Sequence, residues 1–256
     1  MAALPQFLSR EGIPVTDEEI ARALASDDIR EIRNFVLGPG ETSNIPQACR
    51  RWLRRLGLEG KATLTPGRNP DEYLAAAQAV SEVGVVPLYW TCAVFGREKD
   101  LFFGQGTSTL MFFALERMPL DAMQLATRPN ALTYPVRTIA CISQHLHLPE
   151  GWTHIASHPS PKPLLDALLA SNPQCSWMES TSNGAAAELC ARGEADACIC
   201  TETARAATGL TTIHEFGRPD MIFFGGLTAH GAVQVRAVHA AQQVERAQHL
   251  RFCHES

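Results

Sequence analysis

The sequence predicts an α/β protein built as two lobes with a cleft between them. Short apolar runs of strand length alternate with helix-patterned stretches from residue 34 onward, the rhythm of a parallel sheet with covered faces. The rhythm stops in an irregular, Gly-rich stretch between residues 90 and 109 and resumes near residue 153. Extended segments flank the second block and can carry the chain into it and back. Two lobes joined by two crossovers create a cleft, and ligands sit at such interfaces, beyond the carboxyl ends of the strands.

Residues 1–33 read as an N-terminal helical extension. Thr16-Asp17-Glu18-Glu19 has the capping-box pattern and predicts a helix through about Ile32, with Ile20, Ala23, Leu24 and Ile29 on its apolar face. It is read as a packing or dimerisation helix, so a homodimer stands as the protein partner considered. Lobe 1 is assigned residues 34–117 plus 212–256, and lobe 2 residues 118–211. Asn34-Phe35-Val36-Leu37 is a short buried strand ending in Gly38-Pro39-Gly40. A helix follows from about Asn44 to Leu56 with Ser43 as N-cap. Lys61–Thr65 is a strand. Asn69 caps a helix whose first residue is Pro70, the favoured place for proline. GVVPLYW (84–90) is a buried strand. Met111–Leu115 and Ala122–Thr127 are extended.

In lobe 2, Thr153–Ser157, Cys175–Met178 and Ala197–Thr201 are strands. Pro161–Ala170, Asn183–Arg192 and Glu202–Ala207 are helices, the last closed by Gly209. Thr211–Phe216 and Met221–Leu227 are extended, and Val233–Phe252 is a terminal helix. No tandem repeat or low-complexity segment is present.

The composition excludes several functions. With 22 basic and 27 acidic residues, the chain has no nucleic-acid footprint, so a small anion would need local devices rather than a global field. No run reaches membrane-spanning length. No basic head precedes an apolar stretch at the N-terminus, so no signal peptide is expected and the compartment is read as cytoplasmic and reducing. The chain has eight cysteines. Cys198 and Cys200 form C-x-C, which in a strand puts both side chains on one face. Zinc-site spacing is missing for want of a second ligand pair, and no metal is expected. No phosphate loop, dinucleotide fingerprint or nucleophile elbow occurs, and no cofactor is expected.

Four segments can carry chemistry. Gly38-Pro39-Gly40-Glu41-Thr42-Ser43 lies between a strand and a helix, where unpaired N–H groups and the hydroxyls of Thr42 and Ser43 suit an anion. The alternative is that Ser43 only caps the helix. Glu179-Ser180-Thr181-Ser182-Asn183-Gly184 has three consecutive hydroxyl residues, more than one N-cap needs, and the surplus can bind a carboxylate. Capping alone is again the other reading. In Ser157-His158-Pro159-Ser160-Pro161, the imidazole can titrate near neutrality or donate to an anion, or it can simply stabilise a proline turn. In the loop after Trp90, Thr91 and Cys92 bring a hydroxyl and a thiol near Arg97. Cys92 has no base beside it in sequence, which favours a pocket-wall thiol over a nucleophile.

The segments GPGETS (38–43), SHPSP (157–161), ESTSNGAAAEL (179–189) and ADACICTETARAATGL (195–210), in this order, resemble the prephenate dehydratase family. The resemblance covers about residues 34–227 and implies a fold like the type II periplasmic binding proteins. Two departures are visible. The polar loop that dehydratases carry after the third strand reads TCAVFG (91–96) here. Their threonine-arginine-phenylalanine motif, tied to loss of water, is replaced by RPDMIFFGGL (218–227). Loss of the dehydration motif with the anion loops retained is similar to the prephenate decarboxylases of bacilysin-type and aeruginosin-type pathways.

The resemblance therefore implies a non-aromatising carboxy-lyase acting on the dianion prephenate in antibiotic-like biosynthesis. It would use Thr91, Cys92 and His158 near the chemistry and Gly38, Thr42, Ser43, Ser157, Ser180, Thr181, Ser182, Asn183 and Thr201 to hold the substrate. Two helix N-termini facing each other across the cleft suit two carboxylates. Prephenate dehydratase, a related lyase on another cyclic acid, and a cytoplasmic small-anion binding or sensing protein remain the alternatives.

Overall fold

The computed structural model describes residues 16–37, 43–67, 70–92, 111–131 and 146–254. These divide into two compact units. One holds the described residues up to Leu37, from Ile45 to Arg117 and from Ile222 onward; the other holds Ser43, Asn44 and Met118–Met221.

The first unit opens with helix α1 (Asp17–Ala25). Its capping box forms as the sequence implies: Glu19 N–H donates to Thr16 Oγ1 and Thr16 N–H to Glu19 Oε2, both at 3.2 Å. The helix stops at Ala25, not near Ile32. Ser26 and Asp28 form a local turn, with Asp28 N–H donating to Ser26 Oγ at 3.4 Å. Ile29 is still buried, but the backbones of Arg30 and Glu31 already donate to the Gly84 carbonyl. Strand β1 (Glu31–Leu37) thus starts where a longer helix was expected.

Helix α2 (Asn44–Arg55), strand β2 (Ala62–Gly67), helix α3 (Pro70–Ala79), strand β3 (Val85–Cys92) and strand β4 (Met111–Pro119) follow, each overlapping its predicted segment. The cap assigned to Asn69 lies outside the described residues. In the second unit come strand β5 (Met123–Thr127), strand β6 (His154–Ser157), helix α4 (Lys162–Ser171), strand β7 (Ser176–Glu179), helix α5 (Asn183–Arg192), strand β8 (Ala197–Thr201), helix α6 (Glu202–Thr208) and strand β9 (Thr211–Gly217). Gly209 closes α6 at φ 68°, a left-handed cap that glycine adopts without steric cost. Strand β10 (Asp220–Leu227) and helix α7 (Ala229–His254) end the described chain.

Among the described residues, each unit has one five-stranded sheet. The orders are β2-β1-β3-β10-β4 and β7-β6-β8-β5-β9. In the first, β1 runs parallel to β2 and β3, and β10 is antiparallel to β3. In the second, β6 runs parallel to β7 and β8, and β5 is antiparallel to β8. Each sheet therefore takes its fourth strand from beside a crossover: β10 follows the return from the second unit, and β5 opens that unit. This is the strand order of the type II periplasmic-binding-protein fold, the class expected from the sequence. No helix among the described residues is long and apolar enough to cross a membrane.

The apolar content of GVVPLYW becomes the centre of the first core. Every residue of β3 from Val85 to Thr91 is buried. Trp90 meets Trp52 of α2 edge-on at 5.4 Å and donates its indole N–H to Asn34 Oδ1 at 3.2 Å. Helix α7 closes over β3 through Gln234, which accepts from Gly84 N–H at 2.7 Å and donates to the Val85 carbonyl at 2.9 Å.

Gly226 lies opposite Tyr89 in the β3–β10 ladder, and the tyrosine ring crosses directly over it. A Cβ on Gly226 would sit 2.4 Å from Cζ and Oη of Tyr89, whose side chain is held in the core. Overpacking of this kind costs about 1–3 kcal/mol. Gly226→Ala is expected to lower the melting temperature accordingly, and an unchanged thermal transition would show that the ring can move aside.

Candidate functional site

In the second unit the topology brings most of the predicted residues to one edge. Strands β7, β6 and β8 are neighbours and run parallel. Their carboxyl ends carry Glu179, Ser157 and Thr201. The loop Ser180–Ser182 leads from β7 into α5, which begins at Asn183, and His158 follows β6 directly. Strand carboxyl ends next to helix starts are where ligands bind in open α/β sheets.

The hydrogen bonds sort these residues by what their side chains can still do. Ser157 is fully buried, and its hydroxyl donates to the His158 carbonyl at 2.8 Å. The Ser180 hydroxyl donates to the Ser182 carbonyl at 3.0 Å. A hydroxyl has one proton to give, so both already have theirs committed to backbone. Ser182 is the N-cap of α5: its Oγ accepts from Ala185 N–H at 2.9 Å, and that bond leaves its proton unused. Thr181 is exposed and makes no side-chain hydrogen bond among the described residues. Asn183 Oδ1 is buried and finds no donor among the described residues. A buried acceptor of this kind is costly unless a ligand or water satisfies it.

His158 sits in a short turn. Ser160 N–H donates to its Nδ1 at 3.1 Å. In that bond Nδ1 is the acceptor, which orients the ring within the turn. Thr201 is buried and caps α6, its Oγ1 accepting from Ala204 N–H at 3.2 Å. Glu202, beside it, is bound at both oxygens by Arg205, at 2.7 and 2.8 Å. That pairing holds its carboxyl below the usual range, so it stays ionised near neutral pH and does not serve as a neutral proton donor.

In the first unit, Thr91 and Cys92 end β3, with Thr91 buried and Cys92 half-buried. Their partners across the ladder are Phe224 and Phe223. Ser43 immediately precedes α2. Gly38 and Thr42 lie outside the described residues, as does the rest of the TCAVFG loop after Cys92. Asn44, the first residue of α2, is buried, and its Oδ1 lacks a donor among the described residues.

The C-x-C pair is part of a core. Cys198 and Cys200 point into an apolar cluster with Cys190, Ala126 and Ala156. Hydrogen bonding to Cys190 and Cys200, with burial, keeps the Cys198 thiol well above its usual range, and a protonated buried thiol behaves as a small hydrophobe. No group of three His, Cys, Asp or Glu among the described residues is arranged to hold a metal ion.

Sequence reasoning missed Trp177. It lies within β7 as an ordinary strand residue, yet its indole N–H donates to the Ser157 carbonyl at 3.2 Å. Its place two residues before the Glu179 loop was the available signal.

No family model matches the chain, and no curated protein does. Among solved structures it is similar to GqqA, described as a novel type of quorum quenching acylases, with 15% identity and a TM-score of 0.48 over 77% of this chain; this chain spans 64% of that protein's length. It is also similar to the periplasmic VFT2 domain of BvgS from Bordetella pertussis, with 16% identity and a TM-score of 0.48 over 90% of this chain and 93% of that one. A third similar structure is AncCDT-1, an ancestral amino acid-binding protein described as a precursor of cyclohexadienyl dehydratase, with 12% identity and a TM-score of 0.40 over 88% of this chain and 94% of that one.

Proposed function

We propose that this chain is a cofactor-independent carboxy-lyase that decarboxylates prephenate to a dihydro-4-hydroxyphenylpyruvate without aromatising the ring. The ordered motifs GPGETS, SHPSP and ESTSNG support the substrate, and replacement of the dehydration motif by RPDMIFFGGL supports the outcome. The structural observation that carries the reading is the start of α5. Ser182 alone supplies the cap there, while Thr181 and the Asn183 amide oxygen have hydrogen-bonding capacity left over. A helix start with spare donors suits a carboxylate, and the Asn183 oxygen suits a hydroxyl donor. Prephenate has both groups.

In the reaction the bond between the ring and its carboxylate breaks and carbon dioxide leaves. The electron pair enters the conjugated diene, and a ring carbon takes up a proton. The ring hydroxyl stays in place because the motif that the family resemblance ties to loss of water is replaced here by RPDMIFFGGL. Excluding water from the departing carboxylate raises its energy relative to the neutral product. His158, whose Nδ1 accepts from Ser160 N–H, is the imidazole of this edge and the side chain we place beside the reacting ring.

The decisive experiment is purified protein with prephenate, followed by ultraviolet spectra and mass spectrometry. The expected product retains the elements of water that phenylpyruvate has lost. Phenylpyruvate would establish a dehydratase instead, and tight binding without turnover would establish a binding protein. No covalent step exists for a thiol to serve, so Cys92→Ser is expected to keep turnover within about one order of magnitude, as a modest change of size and polarity should. Complete loss of activity in folded Cys92→Ser, with a mass-detected adduct on Cys92, would overturn this mechanism.

A further inference from the structure

The turn that carries His158 is gripped at both ends by one side chain. Trp177 donates its indole N–H to the Ser157 carbonyl at 3.2 Å, just before the turn. The Lys162 ammonium, just after it, lies 5.5 Å from the centroid of the Trp177 ring, within cation–π range. Lys162 is held there by Asp166, one turn along α4, at 2.5 Å. The Ser157 carbonyl also accepts from Ser180 N–H at 3.0 Å. A single oxygen therefore ties the His158 turn, the body of β7 and the first residue of the hydroxyl loop. Inside the turn, Ser160 N–H holds His158 Nδ1.

We infer that Trp177 is a positioning residue: by clasping Ser157 and Lys162 it sets the orientation of His158 and ties the hydroxyl loop at Ser180 to the same carbonyl. As a role in catalysis this rests on the proposed function, but as a statement about the turn it does not. Core packing alone would need the ring and not its N–H. The indole nitrogen reaches the one carbonyl shared by both loops, so removing only that N–H separates the two roles. Phenylalanine removes the N–H and keeps an aromatic ring in the strand, at the cost of the indole's second ring, so the Lys162→Met variant serves as the control for a weakened ring contact.

The test compares wild type with Trp177→Phe by amide hydrogen exchange and by kinetics with prephenate. Losing a hydrogen bond of ordinary strength should lower the protection of the Ser160 and Ser180 amides about fivefold. The amides of β8 and the melting temperature should be unchanged, and kcat/KM for prephenate should fall about fivefold to tenfold. Lys162→Met should loosen the Ser160 amide and leave the Ser180 amide unchanged, because it releases only the far end of the turn. Unchanged protection at both amides in Trp177→Phe overturns the inference. A uniform loss of protection across the second unit with a lower melting temperature also overturns it, because Trp177 would then be packing only. If wild type neither binds nor turns over prephenate, the proposed function fails, and the exchange data still decide the role of Trp177 in the turn.

Discussion

Replacing Arg51 and Arg55 together by methionine is expected to destabilise the protein by about 3 kcal/mol. Glu116 on β4 is 2% exposed, yet it is a carboxylate in the core of the first unit. Arg51 Nε of α2 lies 3.0 Å from its Oε1, and Arg55 Nη1 of the same helix lies 3.0 Å from its Oε2 as an ion pair without hydrogen-bond geometry. Arg55 also reaches Asp17 of α1 at 2.7 Å, so one cluster ties α1, α2 and β4 together. Removing both cations leaves the carboxylate out of water with no counter-ion among the described residues. Breaking a buried pair this way costs about 3–5 kcal/mol. The lower end applies because the two guanidinium groups are 57% and 46% exposed, so water already screens them. Denaturant unfolding of the double variant measures the loss. Adding Glu116→Gln to the same variant should recover most of it, because the uncompensated charge is then gone. A double variant as stable as wild type would show that the cluster contributes nothing net. These pairs fix α2, the helix that follows the Gly-Pro-Gly segment in sequence, against the sheet.

How far the fold was legible depends on which physical signal each element carries. The interior strands announce themselves: GVVPLYW and ADACICT are apolar because both faces of a parallel sheet are covered, and they became β3 and β8. Strand β1 was read too short because its first residues are charged. Glu31 and Arg33 point to one face and pair with each other at 2.8 Å, while Ile32 and Asn34 point inward and are buried. That period-two alternation was visible in the sequence, but the helical spacing of Ile20, Ala23 and Leu24 carried the helix past its end. Ser26, Asp27 and Asp28, which favour turns over helix interiors, were the stop signal.

The candidate site was legible at the level of residue type and not of proton direction. Ser157, Ser180 and Ser182 look equivalent in sequence. In the structure the first two donate to backbone carbonyls and the third caps a helix. Such commitments are set by carbonyls several residues or a whole strand away, and no local pattern encodes them. Trp177 escaped for the same reason: its partner, Ser157, is on the neighbouring strand.

These differences make the hydroxyl loop testable one residue at a time. Thr181→Val is expected to weaken prephenate binding about tenfold to a hundredfold, the cost of losing about 1.5–3 kcal/mol for one hydrogen bond to a charged group. The melting temperature should not change, because Thr181 is exposed and its hydroxyl holds nothing among the described residues. Ser182→Ala should behave differently. It removes the acceptor for Ala185 N–H, so stability falls by about 1 kcal/mol, the usual cost of losing an N-cap. Ser180→Ala should loosen the turn at the Ser182 carbonyl, and its effect on affinity should be indirect and smaller than that of Thr181→Val. Calorimetric titration with prephenate, run beside thermal melts of all three variants, separates the effects. If Thr181→Val binds prephenate as wild type does, its hydroxyl does not grip the carboxylate. If in addition only Ser182→Ala shows any change, and that change is confined to the melt, the loop serves α5 and nothing else. A loss of affinity in Thr181→Val with an unchanged melt points to a contact with the ligand, because among the described residues that hydroxyl has nothing to hold.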